Sequence, residues 1–194
     1  AMSVFDRNEN NSIDFREDNS IYFHEDMFCQ VEFVPLENIF HLNKENETID
    51  DFSKEGYSDE GYLDIYSRKK NPITISARKI KVDEINDFLI NLGFRKADTV
   101  YYGYSTERIR CKETNAYSHV NSDIFIQYKK NIINAFWING FRFQQDETVK
   151  LNLKKALLAI GQQYKVVLND WDLSVTVDLS SENKVERYLN EELE

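Results

Sequence analysis

The amino-acid sequence predicts an α+β fold in which helices pack on an antiparallel β-sheet. Two apolar stripes at helical spacing and a series of short segments of alternating polarity support this fold class. Helical and extended segments are mixed along the chain without regular strand–helix–strand order. At 194 residues, 41% of them hydrophobic, the chain is long enough to bury one core. We expect a loose lead-in over residues 1–20 and a single domain over 21–194, with a subdivision near 70–80 as the alternative.

Three helices are predicted from apolar periodicity and capping residues. The first begins at Asp83, ends before Gly93, and has a stripe at i, i+3, i+4 and i+7 formed by Ile85, Phe88, Leu89 and Leu92. The second spans about 147–163, with an inward stripe of Val149, Leu153, Ala156, Leu157 and Ile160. A last helix is expected after a cap at Ser180 or Ser181.

Strands are predicted where apolar residues alternate with polar ones or form short runs between turn residues. The expected segments are 21–23, 28–34, 62–66, 73–77, 100–104, 108–112, 123–128, 132–138, 165–168 and 173–179. In the second of these, Cys29 is expected to face the core together with Val31 and Phe33. Residues 112–115 are predicted to be a turn, and residues 43–61 a surface loop or a short helix capped by Thr48.

Charge is distributed unevenly along the chain. Residues 1–66 hold 17 acidic and four basic side chains, a net charge of −13, although the whole chain carries only −10. Such a segment favours a basic partner and makes nucleic acid an unsuitable ligand for it. Residues 67–155 carry a net charge of +8, and aromatic residues lie between the cations there. That pattern fits either an ordinary sheet face or, less well, a surface that binds single-stranded nucleic acid.

Two segments are candidates for partner binding. The first is acidic and aromatic, and consists of Asp50, Asp51, Tyr57, Asp59, Glu60 and Tyr62. It is either a solvated loop with anchoring aromatics or an interface in which tyrosines give contact area and carboxylates attract a basic partner. The second is the predicted hairpin turn at Asp170, Trp171 and Asp172, where the tryptophan is either a packed turn residue or an interface anchor.

Residue patterns for catalysis or for metal and cofactor binding are missing from the sequence. It has no Gly-x-Ser-x-Gly elbow, no Cys-x-x-Cys or His-Glu-x-x-His metal pattern, and no glycine-rich phosphate loop. Cys29 lies near His24 in sequence, but its expected place in the core argues against a nucleophile. We therefore predict a binding protein without cofactor or metal rather than an enzyme. The alternative is an enzyme or small-ligand protein with a cleft lined by carboxylates or a cysteine.

The sequence also bears on localisation. Residues 3–20 are polar and lack the apolar region of a signal peptide, and no stretch approaches the roughly 18–20 apolar residues of a membrane span. The two cysteines, Cys29 and Cys111, are far apart and are expected to be reduced. These observations predict a cytoplasmic protein that does not bind membranes.

Two parts of the chain resemble a known class of proteins. They are similar to immunity proteins of bacterial polymorphic-toxin and contact-dependent inhibition systems. The similar parts are the segment from His24 to Glu32 and the carboxyl-terminal segments 167–171, 177–179 and 188–189. The resemblance covers about a fifth of the chain. It implies a protein that neutralises a cognate toxin, commonly a basic nuclease, by stoichiometric binding, and it assigns no functional residue.

Overall fold

The structure is a computed structural model that describes residues 19–55, 57–58, 61–62, 66–101, 107–119, 122–139 and 146–192. Residues 1–18 of the expected lead-in lie outside this part of the chain. Its α-helices are α1 (Ile39–Glu55), α2 (Val82–Asn91), α3 (Glu147–Tyr164) and α4 (Glu182–Leu189). Short 3₁₀ turns occur at Glu25–Met27, Leu36–Asn38 and Ile75–Arg78. None of the described helices is long and apolar enough to cross a lipid bilayer.

The described strands form three sheets. In chain order they are β1 (Ser20–Tyr22), β2 (Val31–Pro35), β3 (Tyr57–Ser58), β4 (Gly61–Tyr62), β5 (Arg95–Lys96), β6 (Thr99–Tyr101), β7 (Ile109–Arg110), β8 (Thr114–His119), β9 (Ser122–Lys129), β10 (Ile132–Asn139), β11 (Val166–Asp170) and β12 (Val175–Val177). The main sheet has the order β12-β11-β2-β10-β9-β8-β5, and all of its pairs are antiparallel. A smaller sheet has the order β1-β6-β7, and β3 pairs with β4. The predicted α+β class is confirmed.

One face of the main sheet carries α2, α3 and α4. The predicted apolar stripes of α2 and α3 are buried in the same apolar cluster. Its helical members include Ile85 and Leu89 of α2 and Leu153, Leu157 and Ile160 of α3. Sheet residues of that cluster include Ile124, Ile126, Phe136 and Ile138. Both stripes therefore pack on one sheet, as the periodicity predicted.

The end of α2 and the start of α4 follow the sequence prediction, and α3 has a cap that was not predicted. Gly93 has a φ of +95°, and the Phe94 N–H donates to the Leu89 carbonyl at 3.0 Å, which is a Schellman motif that ends α2. Asp146 caps α3 by accepting from the Thr148 and Val149 N–H groups. The Ser181 hydroxyl accepts from the Lys184 N–H at the start of α4.

The opposite face of the main sheet is covered by two different elements. The small sheet covers β8, β9 and β10, where Phe23 and Val100 pack on Phe125 and Trp137. The rings of Phe125 and Trp137 stack with centroids 5.2 Å apart. Helix α1 covers the other half, where its Leu42 lies in a cluster with Val34 and Val167 and with Trp171 at the end of β11.

A lateral row of paired residues crosses six strands on this second face. From β12 to β8 its members are Thr176, Asn169, Glu32, Trp137, Phe125 and Ala116. The half under α1 is polar, whereas the half under the small sheet is apolar. Helix α1 therefore contacts this row through hydrogen bonds, whereas the small sheet contacts it through apolar packing.

Several predictions of local structure were wrong. Residues 39–55 form one long helix rather than a loop or a helix capped by Thr48, whose hydroxyl instead donates to the Lys44 carbonyl within the helix. The segment 73–77, predicted as a strand, contains a 3₁₀ turn, and the predicted turn at 112–115 contains the start of β8. Cys29 has a φ of 51° before β2 begins, and it packs with the cluster under the small sheet rather than with Val31 and Phe33.

The shared core of α3 and the main sheet gives a stability prediction. We expect Leu157→Ala to lower the free energy of unfolding by about 2–5 kcal/mol, because Leu157 is buried and its removal leaves a cavity. The matched control is Leu151→Ala on the same helix, where the side chain is exposed. Denaturant unfolding of both variants would measure the difference; equal effects would contradict the assigned inward face.

Candidate partner-binding surface

The structure separates the residues of the predicted acidic interface. Asp50 and Asp51 are exposed on α1, near its carboxyl end. Tyr57 and Tyr62 are opposite each other in the β3–β4 pair. Asp59 and Glu60 lie outside the described residues. The described part of the acidic segment is therefore a helix end followed by a short hairpin.

The outer face of α1 carries an apolar residue that sequence reasoning did not select. Phe40 is 82% exposed, the highest value among the large hydrophobic side chains that the structure describes. Glu47 and Asp51 follow it at i+7 and i+11, so these side chains share one side of the helix. Lys44 and Lys54 are also exposed on α1, and the Lys54 ammonium lies 3.9 Å from Asp51. The aromatic ring is thus presented on a mixed, predominantly acidic helix surface.

One flank of α1 is fixed by a buried carboxylate. Glu45 accepts hydrogen bonds from the Tyr66 hydroxyl at 2.9 Å and the Lys69 N–H at 3.1 Å, and its other oxygen is 3.4 Å from the Lys69 ammonium. Burial raises the pKa of Glu45, but these hydrogen bonds and the lysine charge outweigh it, so the pKa lies below its usual value. Asn38, just before α1, makes a second connection to the same segment, because its side-chain amide donates to the Ile73 carbonyl and accepts from the Ile73 N–H.

The inner side of α1 is fixed by a buried cluster of polar side chains. The Asn46 amide donates to Asn169 Oδ1 at 3.0 Å and to Thr176 Oγ1 at 3.1 Å, and the Thr176 hydroxyl donates to Asn169 Oδ1 at 2.7 Å. Asn46 Oδ1 and Asn169 Nδ2 are buried without a hydrogen-bond partner among the described residues. Because the polar atoms must meet, this cluster permits one placement of α1 over β11 and β12.

The second candidate segment is largely part of the core. Asp170 is 0% exposed: its Oδ2 accepts from the Tyr188 hydroxyl at 2.6 Å, and its Oδ1 accepts from the Asp172 and Leu173 N–H groups. Trp171 is 7% exposed. Of the three predicted contact residues, Asp172 is the exposed one. This burial counts against Asp170 and Trp171 as contact residues and supports the alternative of a packed turn.

In addition to its apolar contacts, Trp171 belongs to a polar cluster around Glu32. Its Nε1–H donates to Glu32 at 2.9 Å, and the Arg68 guanidinium lies over its ring, 4.8 Å from the centroid. Burial raises the pKa of Glu32 above its usual value, against hydrogen bonds from Trp171 and Asn71 and the charge of Arg68. This carboxylate connects β2 to the segment 66–71 and to the end of β11.

The cysteines lack the features of a catalytic nucleophile. Burial and the neighbouring Glu32 charge raise the pKa of Cys29 well above its usual value, and the charge of Arg68 offsets only part of this. Burial likewise raises the pKa of Cys111 to about 12. Both are free thiols. A nucleophilic cysteine needs the opposite shift, because the thiolate is the reactive form.

Other candidate chemistries also find little support in the described residues. They contain no group of three His, Cys, Asp or Glu side chains that could hold a metal ion. His24 instead accepts from the Asp26 N–H at 3.2 Å in a local turn. In the basic, aromatic stretch, the Arg108 guanidinium lies over one face of the Tyr101 ring, 4.4 Å from its centroid, so a base cannot stack on that face. Phe125 is fully buried and cannot stack on a base at all. Tyr102 and Tyr104 lie outside the described part of the chain.

Comparisons with known proteins supply no relative. No family model matches the chain, and no curated protein or solved structure matches it significantly.

The two buried glutamates predict opposite pH effects. We expect the stability of the wild type relative to Glu32→Gln to rise as pH falls from 7 toward 4, because a raised native pKa means that protonation relieves the buried charge. Relative to Glu45→Gln, the stability of the wild type should fall as pH drops below the ordinary glutamate pKa of 4.5 and through the lowered native pKa, because the native state favours the charged form. Urea unfolding at several pH values measures both differences. Slopes of the same sign would contradict the assigned environments.

Thiol labelling tests the enzyme alternative. Iodoacetamide at pH 7 should modify Cys29 and Cys111 in the folded protein far more slowly than in urea, because both thiols stay protonated and partly buried. Mass spectrometry of timed samples would follow each site. Rapid labelling of Cys29 alone in the folded protein would indicate an activated thiol and favour the enzyme.

Proposed function

We propose that this protein binds a basic protein toxin and neutralises it by occlusion, as the immunity proteins that it resembles do. The observation that carries the proposal is Phe40, which is 82% exposed on a helix that also presents Glu47, Asp50 and Asp51. An exposed aromatic side chain on a helix whose later turns carry exposed carboxylates suits a partner that has both an apolar pocket and a basic surface. The same surface is poorly suited to nucleic acid, whose phosphates it would repel.

Preorganisation of the helix supports this role. Glu45 and Asn38 hold one flank of α1 to the segment 66–73, and Asn46 holds its inner side to the main sheet. A fixed helix loses little conformational entropy when a partner binds, so more of the contact energy appears as affinity. The exposed carboxylates need no partner contact to act, because they accelerate the encounter with a basic protein at long range.

Variants of the α1 surface would test the proposal with the products of toxin genes that neighbour this gene. Phe40→Ala should weaken binding of the cognate product by about 2–4 kcal/mol, mainly through faster dissociation, as expected for a central aromatic contact. Combined charge reversal of Glu47, Asp50 and Asp51 to Lys should slow association and flatten its dependence on salt. Stopped-flow association and dissociation rates across a salt series measure both effects.

The matched control is Ile90→Ala on α2, because Ile90 is also an exposed apolar residue on a helix. It should leave both rate constants at wild-type values. Co-expression with the toxin gives the biological readout: the wild type and Ile90→Ala should restore growth, and the α1 variants should not. If no neighbouring gene product binds the wild type, or if the α1 variants bind as it does, the proposal is wrong.

A further inference from the structure

Strand β12 has one open side. It is the last strand of the main sheet, pairs with β11, and has no partner on its other side among the described strands. An antiparallel strand directs its N–H and C=O groups alternately to its two sides, so some of those in Val175–Val177 point away from β11. Such an edge is a template to which an extended segment of another protein can add.

On one face of this edge stands the acidic flank of α1. Asn46 contacts Thr176 of β12, whereas Glu45 and Phe52 contact the segment 66–69 on the other flank. Asp50 follows Asn46 by one helical turn and lies on the side away from Glu45 and Phe52. Glu47 is adjacent on the same outer side. The carboxylates of Asp50 and Glu47 therefore border the space beside β12.

On the other face stands α4, and its contribution has a different chemistry. A groove of about 160 Å³ runs between β12 and α4. Its lining includes the apolar residues Val175, Val177 and Tyr188 together with Lys184, Arg187 and Glu192, and the Lys184 ammonium lies 3.9 Å from Asp178. Charges of both signs therefore border this groove, and its apolar surface can receive apolar side chains.

We infer that the basic partner adds an extended segment to the open edge of β12, with basic side chains toward α1 and apolar side chains toward α4. This inference rests on the proposed function, since it names the part of the same partner that is recognised. The alternation follows from the pleat, because successive side chains of an added strand point to opposite faces of the sheet. Main-chain hydrogen bonds would supply affinity, and the two unlike faces would supply specificity.

The charges also fix the register of the added segment. A shift by one residue would turn every side chain to the opposite face. Basic groups would then leave the carboxylates of Glu47 and Asp50 for the apolar surface of the groove, and apolar groups would meet those carboxylates. One register is therefore favoured, which an edge with two similar faces would not provide.

A short blocked peptide in which lysine and valine alternate provides the probe. Added to the full chain, it should slow amide hydrogen exchange at Val175–Val177 by about tenfold or more, as new inter-strand hydrogen bonds form. The same peptide N-methylated at alternate backbone nitrogens keeps its side chains but cannot pair, and it should give no protection. A peptide that alternates glutamate and valine should also fail. Exchange can be measured residue by residue by NMR.

Variants of α1 test whether its carboxylates select a basic peptide. Glu47→Lys combined with Asp50→Lys should abolish the protection, whereas Glu55→Lys, on the same helix but away from β12, should leave it unchanged. Strand addition would be wrong if the N-methylated peptide protected β12 as well as the unmodified peptide does, or if protection were confined to α1. Either result would leave the proposed function standing. Protection without peptide that grows with protein concentration would show that a second copy occupies the edge, and would also overturn it.

Discussion

The position of α1 depends on three polar side chains, the buried Asn46 and Asn169 and the half-buried Thr176. An apolar contact alone would allow the helix to slide or rotate over the sheet at small cost, because hydrophobic attraction is not directional. Hydrogen bonds between buried amide and hydroxyl groups tolerate little displacement, since a buried group that loses its partner costs about 1–3 kcal/mol. The direction in which Phe40 and Asp50 point, and the placement of α1 beside β12, both follow from this contact.

The elements that sequence reasoning recovered are those whose signal is local. Helices α2 and α3 have stripes of Leu, Ile and Val with polar opposite faces, and their ends carry Gly93 and Asp146. Strands β9 and β10 combine apolar runs with the polar turn at Lys130 and Asn131. In each case the residues that decide the element lie within one or two turns of it, so no knowledge of the tertiary fold was required.

The candidate surface was harder to predict because its signals are distant in sequence. Helix α1 buries Glu45 and Asn46, which a periodicity argument counts as surface residues; their partners Lys69 and Asn169 lie elsewhere in the chain. Phe40 was missed for the opposite reason, since a phenylalanine is most often buried and nothing near it in the sequence marks it as exposed. Trp171 is buried against Leu42 and Val34, and Glu32 accepts its N–H. These partners lie far from the turn in sequence, so the choice between a packed turn and an interface anchor depended on the tertiary fold.

The central place of β2 has a consequence for synthesis. Residues 31–35 pair with β10 on one side and β11 on the other, so the strand has no sheet partner until residues 132–139 and 166–170 have left the ribosome. At 5–20 residues per second, translation from residue 35 to residue 170 takes about 7–27 s. During that interval Val31 and Phe33 lack the apolar cluster that covers them in the native protein. Until its partners are made, this strand is an unpaired apolar edge, the kind of segment that can pair with another chain.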